Sequence, residues 1–179
     1  MKASGVLVTH LLGVLVALVG LDNFERAASR SKQSEAKANL KALYWAELAY
    51  RQEKDTFTAS IPKVGFEPER DNRYRYDLSN ETLGNLEDRS TKDIISHLDD
   101  TGIAEDTFKF IPWPFAPYVD PPFVTPGPLG HFRASAQADL DGDLTIDQWS
   151  IASYDRYTRD GVLIAKAGEP YCDVDDSVQ

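Results

Sequence analysis

The chain begins with an uninterrupted apolar run, residues 1–21, which reads MKASGVLVTHLLGVLVALVGL. Between Val6 and Leu21 no residue carries a formal charge unless His10 is protonated. Sixteen helical residues rise about 24 Å at 1.5 Å each, slightly less than the thickness of a bilayer's hydrocarbon core. Tilt, local bilayer thinning or the flanking small residues must supply the remainder. The run therefore predicts a membrane-embedded helix.

No linker separates this run from the next segment, residues 22–55, which is charged and periodic. A mainly apolar row repeats every three or four residues, as on one face of a helix. Its members are Ala36, Leu40, Leu43, Glu47 and Tyr50. We expect one long helix in which residues 22–55 are the amphipathic continuation, with a sheet covering the apolar row. Pro62 and Gly65 then indicate a connecting loop.

A cleaved secretory signal is the alternative interpretation of the apolar run, with Lys2 as its basic region. Leu18-Val19-Gly20 does not offer small residues at both positions that a signal peptidase requires. The nearest alanine pair, Ala27-Ala28, lies beyond three charged residues. The sequence therefore favours a retained anchor over a removed signal.

Composition limits the domain count and the class of partner. The chain has 179 residues and a net charge of −10, so about 155 residues remain for one compact domain after the apolar run. Residues 56–179 are the expected globular β domain, and their acidic end, 139–179, holds only Arg156, Arg159 and Lys166 as bases. Because phosphate binding needs a basic surface, we expect no nucleic-acid partner. The single cysteine, Cys172, excludes an intramolecular disulfide and is interpreted as a solitary, partly buried thiol.

Strand and turn signals predict an α+β fold, a long N-terminal helix packed on a three- or four-stranded antiparallel sheet. Residues 73–78 alternate and are rich in β-formers, so they predict the first strand. Residues 130–138 and 147–154 also alternate and predict a hairpin. A short helix is possible at 92–98. Residues 112–128 contain seven of the ten prolines, which predicts an extended surface loop.

Four aromatic residues in this proline-rich loop allow two interpretations. They are Trp113, Phe115, Tyr118 and Phe123. They could form a recognition surface for a partner or a glycan, or they could pin the loop onto the sheet. We favour pinning, because large aromatic side chains contribute most when they are buried.

The turn of the predicted hairpin is the sharpest chemical signal. Asp139, Asp141, Asp143 and Asp147 occur within nine residues, with Gly142 among them, much as in the first part of a calcium loop. Gly142 stands at the fourth position rather than the sixth, and Ser150 replaces the final Glu, so an EF-hand with an exiting helix is not expected. The alternative is a hairpin turn whose carboxylates accept backbone N–H bonds. We favour Ca²⁺ bound by these four carboxylates, since they repel each other without a cation.

Catalytic patterns are not found in this sequence. His10, His97 and His131 stand in unrelated segments and lack metal-ligand spacing to another His or to Cys172. No Gly-x-Ser-x-Gly nucleophile motif occurs. We therefore expect no enzyme, no catalytic residue and no small-molecule substrate.

A family resemblance rests on five segments: Asn23-Phe24, Arg30–Tyr44, Gln52–Phe57, Gly65–Arg70 and Asn72–Tyr76. Together they resemble the type IV pilins, particularly those of gliding delta-type proteobacteria. The resemblance covers residues 1 to about 78 well and the remainder in outline. It implies a filament subunit with a long N-terminal helix in the filament core, a small antiparallel sheet outside and no catalytic site.

The N-terminus departs from the pilin pattern, which has a short basic leader and a Glu near the start of the mature helix. In a gapless register Gly5 occupies the position of that Glu, and Asp22 occupies the position of a usual Pro. Cleavage after Gly5 places His10 there instead. In the family this carboxylate neutralises a neighbour's terminal ammonium, and neither register supplies it here. A minor or divergent pilin is therefore as plausible as a major one.

The sequence thus predicts a structural subunit of a type IV pilus or of a related secretion pseudopilus. Its expected partners are other pilins, bound through the N-terminal helix, and the inner membrane. Its expected location is the inner membrane, as a single-pass protein, and then a pilus at the cell surface. The alternatives are a membrane-anchored calcium- or ligand-binding envelope protein that has the pilin fold but does not polymerise, and a soluble periplasmic binding module.

Overall fold

The computed structural model describes residues 4–80, 85–114, 116–143 and 145–176, with side chains from Ala27 onward. One continuous helix, α1, spans Ser4–Lys54. Among the described residues, no helix combines the length and the apolar character that a membrane crossing requires. The predicted membrane segment, residues 1–21, lies outside the residues whose side chains are described.

In the described residues after α1, the structure has a second, short helix and nine strands. Their bounds are α2 Ile61–Val64, β1 Arg75–Asp77, β2 Leu86–Glu87, β3 Gly102–Ile103, β4 Phe123–Val124, β5 Phe132–Ala138, β6 Asp147–Ala152, β7 Arg156–Tyr157, β8 Leu163–Ala165 and β9 Tyr171–Val174. Seven strands form one sheet in the order β2-β3-β1-β5-β6-β9, with β4 paired to β5. β7 and β8 form a separate two-stranded sheet.

The sheet is antiparallel except for the pair β2–β3, and its centre is the predicted hairpin. β5 and β6 pair from Arg133 with Ala152 to Ala138 with Asp147, which confirms that prediction. The expected number of three or four strands is wrong for the described part of the chain. Short strands such as β2, β3 and β4 have two residues each, too few for a periodic sequence signal.

The apolar face of the sheet packs against α1. Ala36, Leu40, Leu43 and Glu47 are fully buried, as the periodic row predicts, and Tyr50 is half-buried. The sheet and its flanking loops contribute Phe57, Tyr74, Tyr76, Phe132, Ala134, Ala136, Ala138, Trp149 and Ile151 to this core. The three alanines on β5 have short side chains, which lets the helix lie close to the central strand.

The opposite face of the sheet is polar and is also buried. Ser135 and Gln137 on β5 and Gln148 and Ser150 on β6 are at most 3% exposed. Residues of the proline-rich loop, 112–128, hydrogen-bond to this face, so the alternating polar residues of the hairpin do not face water. The sheet is therefore covered on both faces, by α1 on one and by a loop on the other.

Two local expectations differ from the structure. Residues 92–98 form no helix; Ile95 instead makes an isolated antiparallel bridge with Asp88. A helical turn occurs at α2, where Ser60 accepts the Lys63 N–H and Gly65 closes the turn at φ +69°. Pro62 thus stands in the first turn, where its missing N–H costs nothing, and Gly65 supplies the left-handed C-cap.

Candidate functional site at the hairpin turn and the helix–sheet junction

The aspartate-rich turn connects β5 to β6 and is organised by its own carboxylates. Asp139 Oδ1 accepts the N–H groups of Asp141 and Gly142, at 3.2 and 2.6 Å. Asp141 Oδ1 accepts the Asp143 N–H at 3.2 Å, and Asp143 Oδ1 accepts the Thr145 N–H. Gly142 has φ +86°, a conformation that glycine adopts without strain. Each of these carboxylates uses one oxygen in these bonds to shape the turn.

A carboxylate from the C-terminal segment joins this turn. Asp176 follows β9, is 2% exposed, and accepts the Leu140 N–H through Oδ2 at 3.1 Å. One carboxylate oxygen each from Asp139, Asp141 and Asp176 lie within 4.8 Å of one another. Burial, followed by the negative charges of the nearby aspartates, raises the pKa of Asp176 to about 7. Of the four predicted ligands, the structure thus brings Asp139 and Asp141 together with a third carboxylate.

Asp143 and Asp147, the other two predicted ligands, lie outside that group of three. Asp143 is at the half-exposed end of the turn. Asp147 is fully buried beneath the turn, where its Oδ1 accepts the Gln33 side-chain amide at 2.8 Å and the Asp176 N–H at 3.1 Å. Its Oδ2 accepts the Tyr74 hydroxyl at 2.7 Å and the Trp149 indole N–H at 2.5 Å.

Asp147 therefore connects four parts of the fold: α1, the segment before β1, β6 and the C-terminal segment. Four donors satisfy both of its oxygens, as a buried carboxylate requires. Burial and then the Asp147 charge hold the pKa of Tyr74 well above its usual range, so this hydroxyl remains a donor. Asp147 also lies near Cys172 and Asp175, with one possible ligand atom from each within 4.8 Å of the others. Its own hydrogen bonds identify it as the centre of the helix–sheet junction.

A second buried carboxylate, Asp77, anchors the proline-rich loop. Arg75 donates to Asp77 through Nε at 2.7 Å and through Nη2 at 3.0 Å, and the Tyr118 hydroxyl donates to Oδ2 at 2.5 Å. Burial is the largest cause of the raised pKa of Asp77, and the bonds from Arg75 and Tyr118 oppose it. Tyr118 therefore pins the loop to the sheet, as its aromatic character predicts. Trp113 is only half-buried and lines a groove beside the aspartate-rich turn.

Three residues of these clusters were missed by sequence reasoning. Gln33 is polar and falls one turn before the apolar row of α1, yet it is 4% exposed and bonds to Asp147. Tyr74 was placed in the first strand without a role. Asp176 stands 35 residues or more from the other two carboxylates of its group, and only the acidic C-terminus in general indicated it.

The face of α1 that points away from the sheet is exposed. Between residues 27 and 54 this face carries exposed Ala38, Ala42 and Trp45, and the Trp45 side chain is 65% exposed. Tryptophan is enriched in protein–protein interfaces relative to the rest of the surface.

Comparisons with known proteins agree with this architecture. A family model described as "Type IV pilin PilA" matches residues 27–154, which hold most of the α1 face that packs on the sheet, the central hairpin and the aspartate-rich turn. The chain is also 33% identical over 170 residues to the type IV major pilin protein PilA of Myxococcus xanthus (strain DK1622), covering 83% of this chain and 76% of that protein. Pilins are structural proteins of the cell surface that associate with one another. The chain therefore belongs to the type IV pilin PilA family, and it is a structural subunit of a pilus.

Proposed function

We propose that this pilin assembles by packing α1 against the α1 helices of neighbouring subunits, with the sheet and the proline-rich loop on the outside of the filament. Before assembly the same helix holds the chain in the inner membrane as a single-pass protein. The proposal rests chiefly on the length and polarity of α1.

The helix is longer than the globular domain needs. With 51 residues it extends about 76 Å. Its first described hydrogen bond to the sheet region is made by Lys32, and the helix begins at Ser4, about 42 Å of helical rise earlier. A helical segment that is apolar all round, as the sequence from Val6 to Leu21 is, is stable when it is surrounded by lipid or by other helices.

The exposed face of the second half of α1 supports the same packing. Gln33, Ala36, Leu40, Leu43 and Glu47 are turned toward the sheet. Ala38 and Ala42 lie on the other side, where small side chains allow the close approach of another helix, and Trp45 offers a large apolar surface. We infer that this face contacts the next subunit in the filament.

The test compares the full chain with a chain that starts at Glu25 and is exported by a separate cleavable signal. The full chain should fractionate with membranes and with filaments sheared from the cell surface, where an antibody to the globular domain labels them in electron micrographs. The shortened chain should be folded, soluble and absent from filaments.

Two results would contradict the proposal. Entry of the shortened chain into filaments would show that α1 is not the assembly element. Full chain found in membranes but never in filaments would instead support the membrane-anchored, non-polymerising binding protein.

A further inference from the structure

The aspartate-rich turn and the C-terminal segment meet at a group of three carboxylates with an unusual member. Asp139, Asp141 and Asp176 each present an oxygen within 4.8 Å of the other two. Asp176 is 2% exposed, and its Oδ1 has no hydrogen-bond partner among the described residues. A buried carboxylate oxygen without a donor is costly unless the group is protonated or bound to a cation.

Among the described residues, no basic side chain forms an ion pair with these carboxylates. Lys32 reaches the turn, but its ammonium donates to the Leu140 carbonyl.

Arg73 and Lys109 line the groove next to the turn, and both have other partners. Arg73 stacks on the Phe110 ring at 4.2 Å, and Lys109 pairs with Asp71 at 3.1 Å. The charges that act on Asp176 from Asp141, Asp143 and Asp147 are negative and disfavour its ionised form. In the described part of the chain, the group is thus a cluster of acidic side chains without an ion pair to a lysine or an arginine.

The donor atoms suit a hard divalent cation. Asp139 and Asp141 each use Oδ1 to shape the turn, which leaves the second oxygen of each carboxylate for a ligand. Ca²⁺ accepts six to eight oxygens at about 2.3–2.6 Å in flexible geometry and completes its shell with water and backbone carbonyls. Mg²⁺ requires stricter octahedral geometry at shorter distances, so the loosely spaced trio favours Ca²⁺.

We propose that Asp139, Asp141 and Asp176 bind one Ca²⁺ ion, which ties the C-terminal segment after β9 to the turn between β5 and β6. Asp143 lies beside this site at the surface. Asp147 is outside it, because its two oxygens already accept four hydrogen bonds. The site goes beyond the assembly function and does not depend on it.

The experiment titrates the purified full chain in mild detergent with CaCl₂ by calorimetry and follows the melting temperature in parallel. The unaltered chain should bind one Ca²⁺ and melt at a higher temperature at about 1 mM CaCl₂, with a smaller shift in MgCl₂. Asp176→Asn keeps an oxygen for the Leu140 N–H but removes the charge, and it should weaken calcium binding about tenfold or more.

A second variant and a matched control keep the outcome decisive. Asp141→Asn changes an exposed residue, so it should fold normally and also weaken calcium binding about tenfold or more. Asp160→Asn makes the same change at an exposed aspartate between β7 and β8 and should leave binding unaltered. The proposed site is wrong if calorimetry detects no heat of Ca²⁺ binding at millimolar CaCl₂. It is also wrong if Asp141→Asn and the unaltered chain bind Ca²⁺ with equal affinity.

Discussion

Glu47 is a carboxyl group of α1 that is completely buried against the domain. It is 0% exposed; its Oε2 accepts the Thr58 N–H at 3.4 Å, and its Oε1 has no partner among the described residues. Burial raises the pKa of Glu47 to about 8, and the Thr58 N–H opposes that rise only weakly. At neutral pH the group is therefore largely a neutral acid, which explains how it occupies a position in an apolar row.

The protonation of Glu47 predicts a pH dependence of folding. Its pKa is higher in the folded chain than the ordinary value of 4.5, so the folded state binds this proton more tightly than the unfolded state. The stabilising contribution is complete below pH 4.5 and is lost as the pH rises through about 8. The free energy of unfolding should thus fall between pH 5 and pH 8 by at most about 1.4 kcal/mol per pH unit from this group. Urea unfolding of the full chain in mild detergent, repeated at several pH values between 5 and 8, measures this free energy.

Glu47→Gln should reduce that slope, because the amide does not titrate. Asp176, whose pKa is raised to about 7, contributes with the same sign, so the difference between the two chains is the diagnostic quantity. Glu53→Gln changes an exposed residue at the end of α1 and serves as the control. Equal slopes for Glu47→Gln and the unaltered chain would show that Glu47 does not bind the proton.

At the scale of elements, the proline-rich loop takes the place of a second helix or sheet layer. Its backbone is bound by side chains from the polar face of the hairpin: Gln137 accepts the Ala116 N–H, and Gln148 accepts the Val119 N–H at 2.9 Å. Gln148 also donates to the Pro117 carbonyl at 3.1 Å. Prolines lower the conformational entropy that such a segment loses on ordering, so a few hydrogen bonds suffice to hold it.

Gln148→Ala should release the middle of this loop without disturbing the hairpin. Two hydrogen bonds to loop backbone are lost, which should lower the free energy of unfolding by about 2 kcal/mol. Amide hydrogen exchange at Val119 should accelerate, while exchange within β5 and β6 stays slow. Gln52→Ala, at an exposed position of α1, should change neither quantity. If Val119 exchanges at an unaltered rate, the loop is held by its aromatic contacts instead.

The elements that the sequence predicted are those with local signals. The helix face from Ala36 to Glu47 follows from a period of three or four residues, and the hairpin follows from alternation on both sides of an aspartate-rich turn. The two-residue strands β2, β3 and β4 exist only because distant segments pair, which no local pattern reports. The helix expected at 92–98 was wrong for the same reason: Ile95 pairs with Asp88 instead.

The candidate site was predictable only in part. Asp139 and Asp141 stand in one motif, and the motif indicated their chemistry. Asp176 reaches them through the antiparallel pairing of β9 with β6, which brings Val174 beside Gln148. Asp147 shares the motif, but the alternation along β6 turns its side chain to the α1 face of the sheet.

At the scale of the whole molecule, Asp147 makes the helix, the sheet and the C-terminal segment one unit. Asp147→Asn removes the charge and offers the four donors only one acceptor oxygen, so the free energy of unfolding should fall by about 3 kcal/mol. Because α1, the sheet and the C-terminal segment all lose a hydrogen bond to residue 147, unfolding should remain a single transition. Tryptophan fluorescence and far-ultraviolet circular dichroism should then report its midpoint at the same urea concentration.

Asp160→Asn is the control for that experiment as well, and it should change the free energy of unfolding by no more than about 0.5 kcal/mol. Separate transitions by the two probes in Asp147→Asn would mean that the C-terminal segment or α1 detaches alone. In that case Asp147 holds one element and not the whole fold.

The burial of Asp176 and the exposure of the turn between β7 and β8 bear on how such a filament could be labelled. A fluorescent or epitope tag placed soon after Asp176 would follow a buried side chain, where it would pull on the segment that covers the junction. The turn at Asp160 and Gly161 is exposed and belongs to the separate two-stranded sheet. Exposed turn tips tolerate insertions best, so a small tag inserted there leaves Asp176 and the segment after β9 untouched.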